Sequence, residues 1–334
     1  MVTSSQAMLV APRSICFETR ELARLRADWA RVRFHYCGLC GSDVSKFEGR
    51  RDISYPASLG HEFVGEIVDV GPAVDGFAIG DVVTSDLNYR CGSCDQCQAR
   101  RSHLCRNGRA GLFTNYAFAT CADLEASYLL RLDRCPRMHL ALSEPLSCVL
   151  HALRWAAIQG GDRVLVVGAG GLGLCMAFAL CARSLSFEIA ERMPSRRALI
   201  SASVGSTARA VASPVGEYDV VFDLSGTEAG LRSACEHVKS GGRLCSMSHL
   251  DHASDGGFLL AALTRRDVVF KVSYLNGERE NLEEAADLLQ RRWDASWDPT
   301  IEVIALDQLE RTIAGRRASR ACKAIIQIGD QGTS

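Results

Sequence analysis

The sequence has no long apolar run, no surplus of either charge and almost no lysine. Its most apolar stretches, Val164–Val167 and residues 172–182, are broken by glycine or too short to cross a bilayer. The formal net charge is −1 over 334 residues. Nothing electrostatic therefore points to nucleic acid or to an anionic membrane surface. Between Met1 and Arg20 no basic segment precedes an apolar core, so no secretion signal is expected and the cytosol is the expected compartment. Lysine is confined to Lys46, Lys239, Lys271 and Lys323; the bias to arginine reads as base composition of the source genome rather than function.

Cysteine, by contrast, is plentiful. Fifteen cysteines without a secretory context favour metal binding over a disulfide framework. Apolar residues make up 47% and charged residues 23%, the balance of a globular chain with a sizeable core, and the length suits two domains.

The texture changes along the chain. To about residue 150 it reads as short strands between glycine and proline turns, such as Glu62–Val70, and 81–84 after Gly80. From Asp162 strands alternate with helices. Val164–Val167 is a short, fully apolar run suited to a buried parallel strand. A glycine turn and an apolar helix to about Arg183 follow, then a strand Phe187–Ala190 and a helix Pro194–Val204 with proline at its start. Tyr218–Asp223, 243–248 and 268–274 supply further strands. This alternation predicts a doubly wound parallel sheet. The segment 206–217 is too short for a full crossover helix, which is expected to be reduced or absent. Residues 300–306 and 324–328 read as strands that rejoin the first domain.

Cys91, Cys94, Cys97 and Cys105 form a C-x2-C-x2-C-x7-C pattern. Four thiolates at this spacing can wrap one tetrahedral zinc, and four soft ligands leave no open position, so the site reads as structural. An iron–sulfur cluster or unligated cysteines are the alternatives. A catalytic metal needs three protein ligands and an open position. Cys37-Gly-Leu-Cys40-Gly-Ser42-Asp43 and Gly60-His61-Glu62 are the obvious sources, although His61 taken alone reads as a core histidine.

Gly168-Ala-Gly-Gly-Leu-Gly173 follows an apolar strand and opens a helix, the context a dinucleotide fingerprint requires. Gly168 makes the turn, Gly170 admits the pyrophosphate, and Gly173 lets helix and sheet pack closely; Gly171 and Leu172 begin the helix whose free N–H groups face the phosphates. Glu191 stands 23 residues after Gly168, near the spacing of an acid that binds ribose hydroxyls. That favours NAD over NADP, while Arg192, Arg196 and Arg197 beside it keep NADP open.

Taken with Glu144-Pro145-Leu146, these motifs fall in an order that resembles the zinc-dependent medium-chain dehydrogenases of the alcohol, sorbitol and threonine type, over nearly the whole chain. The resemblance implies an α/β architecture: a GroES-like β-rich catalytic domain over 1–150, completed by 291–334, and a Rossmann domain over 151–290. It implies two zinc ions per chain and Cys40, His61 and Glu144 as ligands of the catalytic one. Glu62 is then an alternative ligand, Asp43 orients a ligand, Ser42 accepts the substrate proton, and Lys323 lies near the pyrophosphate or else at the surface. Cys37 reads as a buried structural thiol.

Relatives often carry histidine two residues after the aspartate, where Ser45 stands here, so protons leave by water, cofactor ribose or another group. A serine at this position is similar to the aminocyclitol dehydrogenases that act on 2-deoxy-scyllo-inosamine. The implied reaction is hydride transfer between NAD(H) and a secondary alcohol or ketone, with a polyol, cyclitol or amino alcohol as substrate. NADPH-linked reduction and a non-catalytic zinc- and nucleotide-binding protein are the alternatives. A homodimer or homotetramer joined at the edge strand 268–274 is also implied.

Overall fold

The computed structural model describes residues 2–88, 90–108, 116–133, 135–248 and 257–329. Three sheets organise it. Ser14–Glu21, Thr3–Ala11 and Ala57–Ser58 form a small antiparallel sheet. A larger sheet runs in the order Ile301–Ala305, Lys323–Gln327, Trp29–Gly38, Glu62–Val70, Val82–Ser85, Leu129–Arg131, with Cys121–Glu125 also pairing Trp29–Gly38. The two C-terminal strands thus join the sheet built by the first third of the chain. Its core holds Phe34 and Phe63, packed edge to face, with Leu9, Leu59, Ile67, Phe118 and the fully buried Cys37.

The third sheet is entirely parallel, in the order Ala208–Val211, Phe187–Ala190, Val164–Val167, Tyr218–Asp223, Val238–Ser246, Val269–Val272. From Val164–Val167 the chain winds one way for two strands, then crosses to the other side for three. That reversal creates a crevice at the carboxyl ends of the central strands, where ligands bind in such sheets. The ends are in register: Ala190, Val167, Asp223, Ser246 and Val272 form one row. No helix joins Ala208–Val211 to Tyr218–Asp223, as the length of that segment requires. Two strands differ in extent from the sequence pattern. One starts earlier, at Val238, because Gly241 at φ +72° lets the chain turn within it; the other is shorter, Val269–Val272.

The helix Gly171–Ala182 has no side-chain cap, because glycine stands at its N-cap. Burial holds it instead. Leu174, Met176, Phe178 and Leu180 are 0–2% exposed, and each such side chain contributes roughly 1.5–3 kcal/mol before chain entropy. A missing cap costs only ~1 kcal/mol, so burial wins. The helix Ser143–Ala156 packs against this helix and against Arg279–Arg292. Among the described residues no helix is long and apolar enough to cross a membrane.

Candidate active site

Cys40 is the N-cap of the short helix Gly41–Phe47. The fully buried Asp43 accepts the backbone N–H of Cys40 at 3.2 Å through one carboxylate oxygen and that of Gly60 at 3.1 Å through the other. His61 Nδ1 lies 3.8 Å from the same carboxylate. One aspartate therefore fixes the helix cap and the start of the strand Glu62–Val70 together, which brings Cys40 and His61 to one point. Gly60, at φ +85°, is required there: a Cβ would meet the backbone nitrogen of Phe118 at 2.8 Å.

The donor atoms of Cys40, His61 and Glu62 lie within 4.8 Å of one another. Glu144, in the first turn of Ser143–Ala156, is 6% exposed and interacts electrostatically with both His61 and Glu62. Burial pushes Glu144 up to about 7, with His61 pulling it down and Glu62 pushing it up. Burial works against a charge on His61, but Asp43, Cys40 and Glu144 around it lift its pKa to about 10. A thiol and carboxylates crowded around one imidazole in a buried pocket are a donor set that suits a divalent cation.

Glu62 is spoken for. Its carboxylate forms an ion pair with Lys323, and the two side chains are almost wholly buried. Lys323 is thus neither a surface lysine nor free to face only the cofactor. Its aliphatic chain runs past the cofactor loop, since a Cβ on Gly171 would meet its Cδ at 3.0 Å and its Nζ at 3.4 Å. Sequence spacing missed this pair, and it missed Cys148, whose thiol donates to Glu144 Oε1 at 3.4 Å. The i, i+4 spacing of 144 and 148 on one helix was the available signal. Ser42 is half-buried in the same short helix as Asp43, and Ser45 is buried there.

The glycine turn meets its steric demands. Gly168 adopts φ +100°, and a Cβ on it would meet Ser225 Cα at 2.9 Å; one on Gly173 would meet the Gly168 oxygen at 2.0 Å. Above Gly170 nothing lies within 4 Å. Leu172 is half-buried and packs on the core below the turn. Glu191 follows the next strand and accepts the N–H groups of Ala169 at 2.9 Å and Met193 at 2.8 Å. Of its basic neighbours, Arg197 donates to the carbonyls of Glu191 and Arg192 and Arg196 to those of Ser319 and Ala321, while Arg192 is exposed.

The four lobe cysteines also converge, with all sulfurs within 4.8 Å of one another. Cys91 and Cys105 sulfurs are 3.5 Å apart, and those of Cys94 and Cys105 3.9 Å. A tetrahedron with zinc–sulfur bonds of about 2.3 Å has edges of about 3.8 Å. The amides of Cys94 and Cys91 donate to the sulfurs of Cys91 and Cys105. Hydrogen bonds from Ser93 and from the amide of Cys94 lower the Cys91 pKa, which favours its thiolate form. No disulfide joins any of the fifteen cysteines.

A mostly antiparallel unit with two clusters of candidate metal donors, beside a doubly wound sheet with a glycine-rich dinucleotide turn, has the make-up of a nicotinamide-linked dehydrogenase. The alcohol dehydrogenase GroES-like domain family matches residues 26–132. L-threonine 3-dehydrogenase of Saccharopolyspora erythraea is 32% identical over 234 residues, 65% of this chain and 68% of that protein. Sorbitol dehydrogenase of Halalkalibacterium halodurans is 38% identical over 154 residues, 44% of each chain. A zinc-binding dehydrogenase of Sinorhizobium meliloti, solved bound to NADP, superposes with a TM-score of 0.83 at 27% identity, covering 98% of this chain and 100% of that one. The chain belongs to the zinc-dependent medium-chain dehydrogenase family and is an enzyme of the alcohol dehydrogenase type.

Proposed function

We propose that this chain transfers hydride between NAD and the carbinol carbon of a secondary alcohol in a polyol, cyclitol or amino alcohol. The observation that carries the reading is the cluster of Cys40, His61 and Glu62, whose donor atoms lie within 4.8 Å of one another, with the buried carboxylate of Glu144 close enough to interact with both His61 and Glu62 and one Glu62 oxygen paired to Lys323. These residues fit a zinc ion with one open position; Cys91, Cys94, Cys97 and Cys105 fit a second, closed one. When bound, the catalytic zinc supplies a Lewis acid that lowers the pKa of the alcohol.

The chain's own residues do the rest. Asp43 holds Cys40 and His61 in place. Ser42 accepts the substrate hydroxyl proton, and with serine at 45 that proton leaves through water or the cofactor ribose. The helix beginning at Gly171 presents its free N–H groups to the pyrophosphate, and Glu191 accepts the ribose hydroxyls. Two of the three nearby arginines are already engaged with backbone carbonyls, which supports NAD over NADP; the exposed Arg192 keeps a weaker NADP-linked reaction in view.

We assign residues 1–150 and 291–334 to the metal-bearing unit and 151–290 to the cofactor unit, on the membership of the sheets. A homodimer or homotetramer formed at the Val269–Val272 edge is supported by the exposed Val269, Val272 and Tyr274 there. A monomer in solution scattering overturns that assembly. The reaction is tested by incubating the pure protein with NAD or NADP and a panel of polyols, cyclitols and amino alcohols while following nicotinamide absorbance. Reduction of NAD by one group supports the reading. Equal turnover with NADP removes the cofactor preference.

A further inference from the structure

Next to the candidate site, the four-cysteine lobe grips one segment of the cofactor unit. Residues 273–278 leave the carboxyl end of the strand Val269–Val272 and enter the helix Arg279–Arg292. They therefore lie on the rim of the crevice where a dinucleotide binds. The Ser273 hydroxyl is buried, with no hydrogen-bond partner among the described residues.

The segment is held in an unfavourable shape. Leu275 adopts φ +56°, a conformation that bulky side chains avoid and that costs on the order of 1–3 kcal/mol. Gly277, at φ +68°, packs so closely that a Cβ would meet His151 Nδ1 at 2.4 Å, on the helix that carries Glu144. Such a conformation persists only where the surroundings over-determine it; here they are His151, Asn281 of the segment's own helix, whose amide donates to the Asn276 carbonyl at 2.6 Å, and the lobe with the residues leading into it.

Two grips are visible. Asp86, Asn88 and Asn276 are each 2% exposed. The Asn276 amide donates to Asp86 Oδ1 at 3.1 Å, and the Asn88 amide donates to Asn276 Oδ1. Glu278, the N-cap residue of Arg279–Arg292, makes no side-chain cap with its own helix. Its carboxylate instead accepts the backbone N–H of Ser102 at 2.6 Å and the Ser102 hydroxyl at 2.9 Å, with Arg90 at 3.7 Å. Arg90 directly precedes Cys91, Ser102 lies between Cys97 and Cys105, and His103 packs edge to face on His151.

We propose that the four-cysteine lobe is a brace that holds residues 273–278 in their crevice-facing conformation, with Glu278 and Asn276 as positioning residues for the cofactor. Metal in the lobe fixes the geometry of Ser102 relative to Arg90. Glu278 transmits that geometry to the rim, so the lobe metal sets cofactor affinity although it lies outside the reacting centre. The inference rests on the reading of the crevice as a nicotinamide dinucleotide site.

The test is NADH affinity, read by fluorescence titration of the metal-loaded enzyme. Glu278→Ala should weaken NADH about tenfold, which corresponds to ~1.4 kcal/mol. Glu278→Gln, which keeps an acceptor for Ser102, should recover most of that loss. Cys94→Ser should weaken NADH comparably, and combining it with Glu278→Ala should add little, since both open the same latch. The KM for cofactor should rise in Glu278→Ala while the KM for alcohol holds. If that variant does not fold, Ser102→Ala, which removes one hydrogen bond, should still weaken NADH by about threefold. Wild-type NADH affinity in the folded variants, or losses from Cys94→Ser and Glu278→Ala that multiply, overturns the brace alone. No binding of NADH or NADPH by the wild type overturns the brace and the dehydrogenase reading together.

Discussion

Replacing Gly170 with alanine separates what the cofactor loop does for folding from what it does for binding. Gly170 has φ −76° and ψ −162°, an extended conformation open to any residue, and an added Cβ meets nothing within 4 Å. Removing a glycine from the unfolded chain stabilises by ~0.4–1 kcal/mol. Alanine at an N-cap costs a similar ~0.5–1 kcal/mol relative to glycine. The two offset, so the melting temperature should stay within a few degrees of wild type.

The cofactor is another matter, because in the proposed function the pyrophosphate approaches the helix N-terminus through the open space above Gly170. Crowding a close contact by one methyl costs ~1–3 kcal/mol, which weakens NADH roughly 5–150-fold. Gly173→Ala is the counterpart: its Cβ would sit 2.0 Å from the Gly168 oxygen, so stability and affinity should fall together. Thermal melts and NADH titrations on the two variants decide the matter. Wild-type NADH affinity in Gly170→Ala would refute the placement of the pyrophosphate, and a collapse of its stability would refute the reading of that space as open.

Other outcomes follow from the same geometry. Cys40→Ala or His61→Ala should abolish turnover while far-ultraviolet circular dichroism stays native; retained turnover removes zinc from the mechanism. Cys94→Ser should lower the melting temperature and remove one metal per chain, and an unchanged melt counts against a structural metal. Burial pushes the pKa of His139 down to about 4, with Arg137 nearby adding to the effect. Its folded pKa lies below the unfolded value of about 6.5. Stability from the neutral ring is therefore complete above about pH 6.5 and lost as pH falls toward 4, by at most ~3 kcal/mol. His139→Phe, which keeps the stacking on Trp293, should flatten urea-unfolding midpoints across that range; an unaltered pH dependence rules His139 out as the cause.

Much of the fold was legible because its signals are local. Val164–Val167, Phe187–Ala190 and Tyr218–Asp223 are short apolar runs between turn residues, and glycine and proline mark where the helices beside them start. The segment after Gly205 was readable by length alone. The convergence of Cys91, Cys94, Cys97 and Cys105 was readable because they sit in one short stretch of chain. What escaped is polar and long-range. Lys323 and Glu62 pair across 261 positions, and no periodicity tells a strand which buried carboxylate its lysine will reach. Asp86, Asn88 and Asn276 look like ordinary turn residues in sequence; only the packing of the lobe on the cofactor unit makes them a buried network. Glu278 reads as a helix start, and its commitment to Ser102 depends on that same packing.

The most direct test of the central claim is to measure zinc per chain and NAD reduction on one preparation, with wild type and Cys40→Ala side by side. Wild type should hold two zinc ions and reduce NAD with at least one polyol, cyclitol or amino alcohol. The folded variant should hold one zinc and reduce none. Turnover by the variant, or a zinc-replete wild type that transfers hydride in neither direction with such alcohols or their ketones, would contradict it.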